Sequence, residues 1–330
     1  MKKMLHMAIL GAGRIAATMA ETINRMNQAG NHAVSLYAVA ARDLERAQQF
    51  ADTHGVERAY GSYEEMLQDQ QVQLVYVATP HSHHYQHVMM CLEHGKHVLC
   101  EKAFAANAQQ TREMLQRAKD KGLLLTEAIW TRYQPMREII SQVVNSGVIG
   151  EPRMLTANLG YEIMGKERIV EPALAGGALL DVGIYPLNFA EMVFGAPDQV
   201  HAVGVLSDKG VDLQDSMTLT WKDGKMAVLN AGANCVSDRM GVIYGTRGFA
   251  VVENINNPQS ITVYDAQYQQ VEHHPCPAQL TGYEYEVTEA ARCIEAGVLE
   301  CPSMPHQDTV HMMELMDEIR HQMGVHYPFE

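Results

Sequence analysis

Basic residues are scarce in this sequence. Its 25 Lys and Arg stand against 39 Asp and Glu, a formal balance of −14, which gives no sequence-independent grip on a phosphate backbone and argues against nucleic acid as a partner. Cysteine is scarce too. The six (Cys91, Cys100, Cys235, Cys276, Cys293 and Cys301) form no Cys-x-x-Cys pair or other metal-like spacing, so they read as reduced thiols of a cytoplasmic protein, several of them small core residues. No uninterrupted apolar run approaches the roughly 18 residues that cross a bilayer, and no membrane span is expected. The start, Met1-Lys2-Lys3 followed by Leu5 to Leu10, imitates a secretory signal, but Arg14 cuts that run too early. With no low-complexity tract or internal repeat, and 47% hydrophobic residues, the chain is expected to bury a sizeable core in roughly two domains.

Up to Ala128, short apolar runs alternate with longer amphipathic segments, the pattern of β-α units on a parallel sheet. The expected strands are Leu5–Leu10, Ser35–Ala40, Leu74–Ala78, His97–Cys100 and Leu123–Thr126. Ser62 with Glu65 forms a capping box, Asn107 with Gln110 a weaker cap, and Gly95 stands where a helix from near Ser82 should stop. After Trp130 strands follow one another directly, and Asp223-Gly224 between two alternating runs signals a hairpin. The fold class is therefore α/β: a Rossmann dinucleotide-binding domain at 1–128, then an α+β domain with a mostly antiparallel open sheet at 129–330. The second has strands near Arg153–Leu159, Val200–Leu206, Ser216–Trp221, Lys225–Cys235, Met240–Tyr244 and Ile261–Asp265. Its helices occupy Gly177–Phe194, Tyr283–Ala296 and His306–Met323.

Gly11-Ala12-Gly13-Arg14-Ile15-Ala16 follows the first strand and opens the first helix. Gly11 permits the tight turn, Gly13 lets the backbone approach a pyrophosphate, and the helix N-terminal amides bind it. The second strand ends in Ala40-Ala41-Arg42 rather than in the acidic residue that would accept from an adenosine ribose. Arg42 can instead fork onto a 2′-phosphate, which favours NADP over NAD. Asp43 is expected to cap the next helix.

Thr79-Pro80-His81-Ser82-His83-His84 and Glu101-Lys102 each follow a strand at the sheet edge where such folds hold ligands. His83 and His87 stand four apart on a helix, but no cysteine or H-E-x-x-H pattern accompanies them and no metal is expected. Asp181 and Tyr185 in Gly176-Gly177-Ala178-Leu179-Leu180-Asp181-Val182-Gly183-Ile184-Tyr185 lie four apart, on one face if helical. A tyrosine, with a pKa of about 10, needs a nearby cation to serve as a base. Lys102 is the candidate.

These motifs together resemble the glucose-fructose oxidoreductase and inositol dehydrogenase (Gfo/Idh/MocA) family. Glu127-Ala128-Ile129-Trp130-Thr131-Arg132-Tyr133 is most similar to its dihydrodiol dehydrogenase branch. The resemblance implies hydride transfer between a nicotinamide and a hydroxyl of a sugar, cyclic polyol or dihydrodiol, and a homodimer built on the C-terminal sheet. It implies Lys102, Asp181, Tyr185 and His84 as catalytic residues, with His84 hydrogen-bonding in support. Gly11, Gly13, Arg14, Ile15, Arg42, Thr79, Pro80, His81, Glu101 and Lys102 would hold the cofactor, and Trp130, Arg132 and Tyr161 the substrate. Ala103 replaces the proline that usually follows the lysine, removing a backbone restraint. Two alternatives stay open: a non-catalytic dinucleotide sensor, and an NAD-dependent glycosidase or epimerase on the same fold.

Overall fold

The computed structural model describes residues 4–330. It divides into two units, residues 1–133 with 279–310, and residues 134–278 with 311–330. This corrects the single cut expected at 128, because residues 129–133 and 279–310 belong with the first unit.

The first unit runs β1 (Leu5–Leu10), α1 (Arg14–Gln28), β2 (Val34–Ala40), α2 (Leu44–His54), β3 (Arg58–Tyr60), α3 (Tyr63–Gln68), β4 (Leu74–Val77), α4 (His81–Glu93), β5 (His97–Glu101), α5 (Ala108–Lys121) and β6 (Leu125–Ala128). Its strands form a parallel sheet in the order β3-β2-β1-β4-β5-β6. β1 and β4 to β6 are buried almost throughout, β6 with Thr126 and Glu127 inside it, as a sheet covered on both faces requires. The caps fall where the sequence puts them. Asp43, Ser62 and Asn107 accept from the amides of Arg46, Glu65 and Gln110, each contributing about 1 kcal/mol to its helix.

The segment that returns carries α9 (Glu284–Ala296). Its Val287 and Ala291 enter the same core as Met7, Ile9, Met19, Ile23 and Val39. Glu284 turns back to accept from the amides of Leu280, Thr281 and Gly282, and Asn31 donates to Thr288 at 3.0 Å. Apolar complementarity to α1 and β2 is thus the reason this piece belongs with the first unit.

The second unit is an eight-stranded, mostly antiparallel sheet in the order β14-β13-β12-β11-β7-β10-β9-β8. Its elements are α6 (Pro135–Asn145), β7 (Pro152–Gly160), α7 (Glu167–Val170), α8 (Ile184–Phe194), β8 (Gln199–Leu206), β9 (Asp212–Thr220), β10 (Met226–Gly232), β11 (Gly241–Gly245), β12 (Gly248–Glu253), β13 (Ser260–Asp265) and β14 (Gln270–Pro275). The α10 helix spans His306–Met323. The Asp223-Gly224 hairpin joins β9 to β10 with Met226 opposite Thr220. β7 and β10 pair in parallel within this sheet.

Burial alternates along its strands. Leu155, Ala157, Met217, Leu219, Ala227, Leu229 and Ile243 are buried, and α8 packs on β7 and β10. Residues 172–194 are long and apolar enough by composition to cross a bilayer, but Asp181 and Glu191 interrupt the run and 83% of the window is buried. Its last part, α8, is the core helix of the sheet.

Candidate active site

The C-terminal edge of the parallel sheet collects the first set of candidates. Gly11 adopts φ +103°, and a Cβ there would stand 3.1 Å from the Ala78 carbonyl oxygen, so glycine lets the first turn lie against the Ala78-Thr79 segment. Around Gly13, by contrast, a Cβ would meet nothing within 4 Å. Gly13 is the N-cap of α1, with no side-chain cap and no acidic residue in the first turn. Ile15 packs its side chain on the core while Arg14 is exposed. An uncapped helix N-terminus with open space over Gly13 fits a dinucleotide pyrophosphate.

At the end of β2, Asp43 is engaged as the cap of α2, its Oδ1 2.8 Å from the Arg46 amide. No carboxylate ends the strand. Arg42 is exposed and acts electrostatically on Tyr63 and His83. Arg46 was missed by the sequence reading. Its guanidinium donates to the Ala12 carbonyl at 3.1 Å, which carries a second cation onto the glycine turn. Arg42 lies just before the Asp43 cap and Arg46 in the first turn of the helix it starts, so the signal was a second arginine close behind the strand end.

Thr79, Pro80 and His81 follow β4 at this edge, with Pro80 as the N-cap of α4 and Thr79 Oγ1 2.9 Å from His87 Nδ1. His83 stacks on His87 at 5.7 Å, and among the described residues no group of three His, Cys, Asp or Glu could hold a metal ion. His84 is placed differently from expectation. It is fully buried, its ring nitrogens 2.8 Å from the Ala103 carbonyl and 2.7 Å from that of Thr79. Burial holds its pKa near 4, so the neutral ring donates to one carbonyl at a time. His84 therefore braces the two ligand-edge loops rather than supporting substrate, and this corrects the catalytic assignment. The same contact, with Cys100 Sγ donating to Phe104 at 3.7 Å, steadies the turn where proline is absent. The Lys102–Ala103 peptide is cis.

Lys102 sits half-buried directly after β5. The Glu101 carboxylate accepts from the Lys102 amide at 3.2 Å and, through its other oxygen, from the Tyr76 hydroxyl. Two further buried carboxyls surround this pair. Burial pushes Glu127 up to about 8, although Arg132 and Lys102 pull the other way, and neither of its oxygens makes a hydrogen bond of good geometry. Glu286 on α9 is likewise held well above the carboxylate range by burial and by the charge of Glu101. Neither role was read from the sequence, because neither residue follows a strand or sits in a recognisable spacing.

Trp130 is buried and stacks on Tyr283 at 4.2 Å with the rings 13° apart. Arg132 corrects its assignment as a substrate residue. It is 2% exposed and ion-paired to Asp308 at 2.6 Å, a buried charge matched inside the first unit.

In the second unit, residues Leu179–Gly183 form a π-helical turn that leads into α8. The four-residue spacing of Asp181 and Tyr185 therefore does not run through a regular α-helix. Such turns recur at functional sites. Asp181 is 2.6 Å from Arg168 of α7, a partner the sequence did not reveal, and Tyr185 is 9% exposed. Tyr161, just after β7, accepts from Asn256 at 3.0 Å with Arg239 over its ring.

Two family models divide the chain in the same order as its elements. Residues 5–129 match an oxidoreductase family with an NAD-binding Rossmann fold, and residues 138–251 match the GFO/IDH/MocA C-terminal domain. The chain belongs to the Gfo/Idh/MocA family. It is an oxidoreductase built to use a nicotinamide dinucleotide. The chain is 36% identical to a trans-1,2-dihydrobenzene-1,2-diol dehydrogenase of Danio rerio and 33% identical to that of Homo sapiens, with 98% of each chain covered in both cases. Among solved structures it shares its fold with a 3-ketoreductase from Actinomadura kijaniata, in complex with NADP and TDP-benzene (TM-score 0.87, 24% identity, 97% of this chain and 98% of that one). It shares it also with an aldose-aldose oxidoreductase from Caulobacter crescentus complexed with glycerol (TM-score 0.86, 23% identity, 97% of each chain).

Proposed function

We propose that this enzyme is an NADP-dependent dehydrogenase that oxidises a secondary or anomeric hydroxyl of a sugar, cyclic polyol or dihydrodiol. The observation that carries this reading is the composition of one sheet edge. The uncapped helix behind Gly13, the Arg42 and Arg46 cations in place of a strand-end acid, and Lys102 after β5 all stand on the C-terminal side of the parallel strands. NADP, when bound there, accepts the hydride.

Alcohol oxidation also needs a base for the hydroxyl proton and a positive charge for the developing alkoxide. In this reading Tyr185 takes the proton. Lys102 supplies the charge, and Asp181, held by Arg168, orients the substrate. Trp130 and Tyr161 shape the substrate site. The names of the dihydrodiol dehydrogenase relatives support the substrate class. All six cysteines are free thiols, which suits a reducing compartment such as the cytoplasm.

The second-unit sheet supports the assembly. One of its faces lies on α8. The alternate residues Val228, Val242, Phe249, Val251 and Tyr264 on its strands are only half-buried, and Val203, Val205 and Met226 are exposed. A second copy pairing through this face would cover them, as an isologous dimer does. The test of the activity is a screen of diols and aldoses with NADP, read at the reduced-nicotinamide absorbance band. Formation of NADPH is expected, and turnover without net reduction would point instead to a tightly bound cofactor in an epimerase or glycosidase cycle.

A further inference from the structure

Asp212 and Asp215, three residues apart on β9, are 0% and 3% exposed. Asp212 Oδ2 accepts from the Leu179 amide at 2.5 Å, and the Ala178 amide also acts on it, so this carboxylate stands in for an N-cap at the start of the π turn. The chain makes room for it. Gly177 adopts φ +117°, and a Cβ there would lie 2.1 Å from Asp212 Oδ1. On the other side, the Tyr327 hydroxyl donates to the Gly176 carbonyl at 2.9 Å.

The remaining oxygens pose a difficulty. Asp212 Oδ1 and both oxygens of Asp215 find no donor among the described residues, although the two carboxyls lie within hydrogen-bonding reach of each other. Two ionised carboxylates at that range would repel in a buried site where the amides that offset charge, those of Leu179 and Ala178, act on Asp212 and not on Asp215. Across the sheet Asp215 faces Ala231 and Gly204, and Asp212 faces Leu206. The Tyr327 phenol faces both. Arg320, the cation of this neighbourhood, is bound to Glu330 at 2.8 Å and to Asp317 at 3.0 Å.

We propose that Asp212 and Asp215 share one proton, carried on Asp215 and donated to Asp212 Oδ1. Held in this way, Asp212 is the positioning residue that fixes the Leu179–Gly183 turn and, through it, Asp181 and Tyr185. The catalytic part of this inference rests on the function proposed above. The shared proton does not. Burial and mutual repulsion keep that proton in place well above the ordinary carboxylate range. The folded chain therefore holds a proton that the unfolded chain has released, and the stability linked to it is complete at acid pH and is lost as pH rises through the folded value.

The test compares wild type with Asp215→Asn by denaturant unfolding between about pH 5 and 9. The Asn amide donates permanently to Asp212, so the variant should lose up to one proton's worth of slope, about a tenfold change in the folding constant per pH unit. It should keep the wild-type kcat. Asp212→Ala should lower kcat by about 10- to 100-fold while NADP affinity, read by fluorescence, is unchanged. A wild-type slope in Asp215→Asn overturns the shared proton, whether or not the protein turns over any substrate tried. An Asp212→Ala enzyme with wild-type kcat overturns the positioning role. Should Asp212→Ala fail to fold, the activity of Asp215→Asn across the same pH range decides that role. Release of the shared proton should make wild-type kcat fall at alkaline pH; absence of that fall in Asp215→Asn supports the role, and the same profile in both proteins overturns it.

Discussion

The two sheets solve the burial problem in opposite ways. In the first unit, strands buried on both faces leave only the strand ends for chemistry, and those ends hold the glycine turn, the arginines and Lys102. In the second, alternating burial leaves a whole face half-open, so the surface on offer is a plane suited to a partner. A covered parallel sheet leaves its edge for ligands, whereas a half-covered antiparallel one leaves a face, which in the proposed assembly a second copy would cover. The second unit's candidate site residues Asp181 and Tyr185 lie on neither surface of its sheet, but on the π turn and the helix packed against it.

This contrast breaks most sharply if one unit's residues turn out to do the other's work. Tyr185→Phe should reduce kcat by about 10²- to 10⁴-fold, the worth of a positioned acid or base, with NADP affinity by fluorescence titration near wild type. A Tyr185→Phe enzyme with full activity and an unchanged pH profile would move the base to Lys102 in the first unit. Arg42→Asp should do the converse. It should weaken NADP by about 1–3 kcal/mol, the worth of a charge-assisted bond, with much less effect on NAD. Equal loss for both cofactors would detach Arg42 from the 2′-phosphate and leave Arg46 as its candidate.

A smaller effect separates buried charge from catalysis in the first unit. Glu127 has its folded pKa raised to about 8, so its linked stability is complete below the ordinary carboxylate range and is lost as pH climbs from about 4.5 to 8. Glu127→Gln should flatten the unfolding slope in that window by at most about tenfold per pH unit. An unaltered slope would mean the carboxyl is ionised throughout. The least effect on turnover is expected from Val251→Arg, on the open face opposite Val242. It should halve the mass seen by light scattering at micromolar concentration and spare kcat, whereas a dimer that survives would place the interface elsewhere.

What the sequence revealed follows the same division. The covered sheet was legible because its strands are apolar runs punctuated by caps, so β1, β2, β4 and β5 fell within a residue or so of their observed limits. β6 lies two residues further along than expected, and the three-residue β3 was missed for want of any pattern. In the second unit the Asp-Gly hairpin was readable, but Gln270–Pro275 is a polar edge strand with exposed positions throughout, and α6 opens on Pro135 with no capping side chain. Among the candidate site residues, Lys102 and the glycine turn stand directly after strands, where the sequence put them. The buried roles of His84 and Arg132 depend on contacts with Ala103 and Asp308, far away along the chain, and spacing carries no trace of them. Arg168 was invisible for the same reason, and the π turn was hidden because residues 179–191 are buried all round and offer no one-sided period to break.

The return of α9 to the first unit bears on how such a protein can be inherited in parts. A fragment ending at residue 133 would strip Val287 and Ala291 from the core they share with Met19 and Val39, and would remove Asp308 from Arg132. The dinucleotide-binding module therefore cannot be exchanged as a single block of sequence. A working chimaera must take residues 279–310 from the same parent as residues 1–133, so recombination near residue 133 alone splits that core, while crossovers at 133, 278 and 310, the last of them inside α10, would leave the cofactor half intact and renew the substrate half.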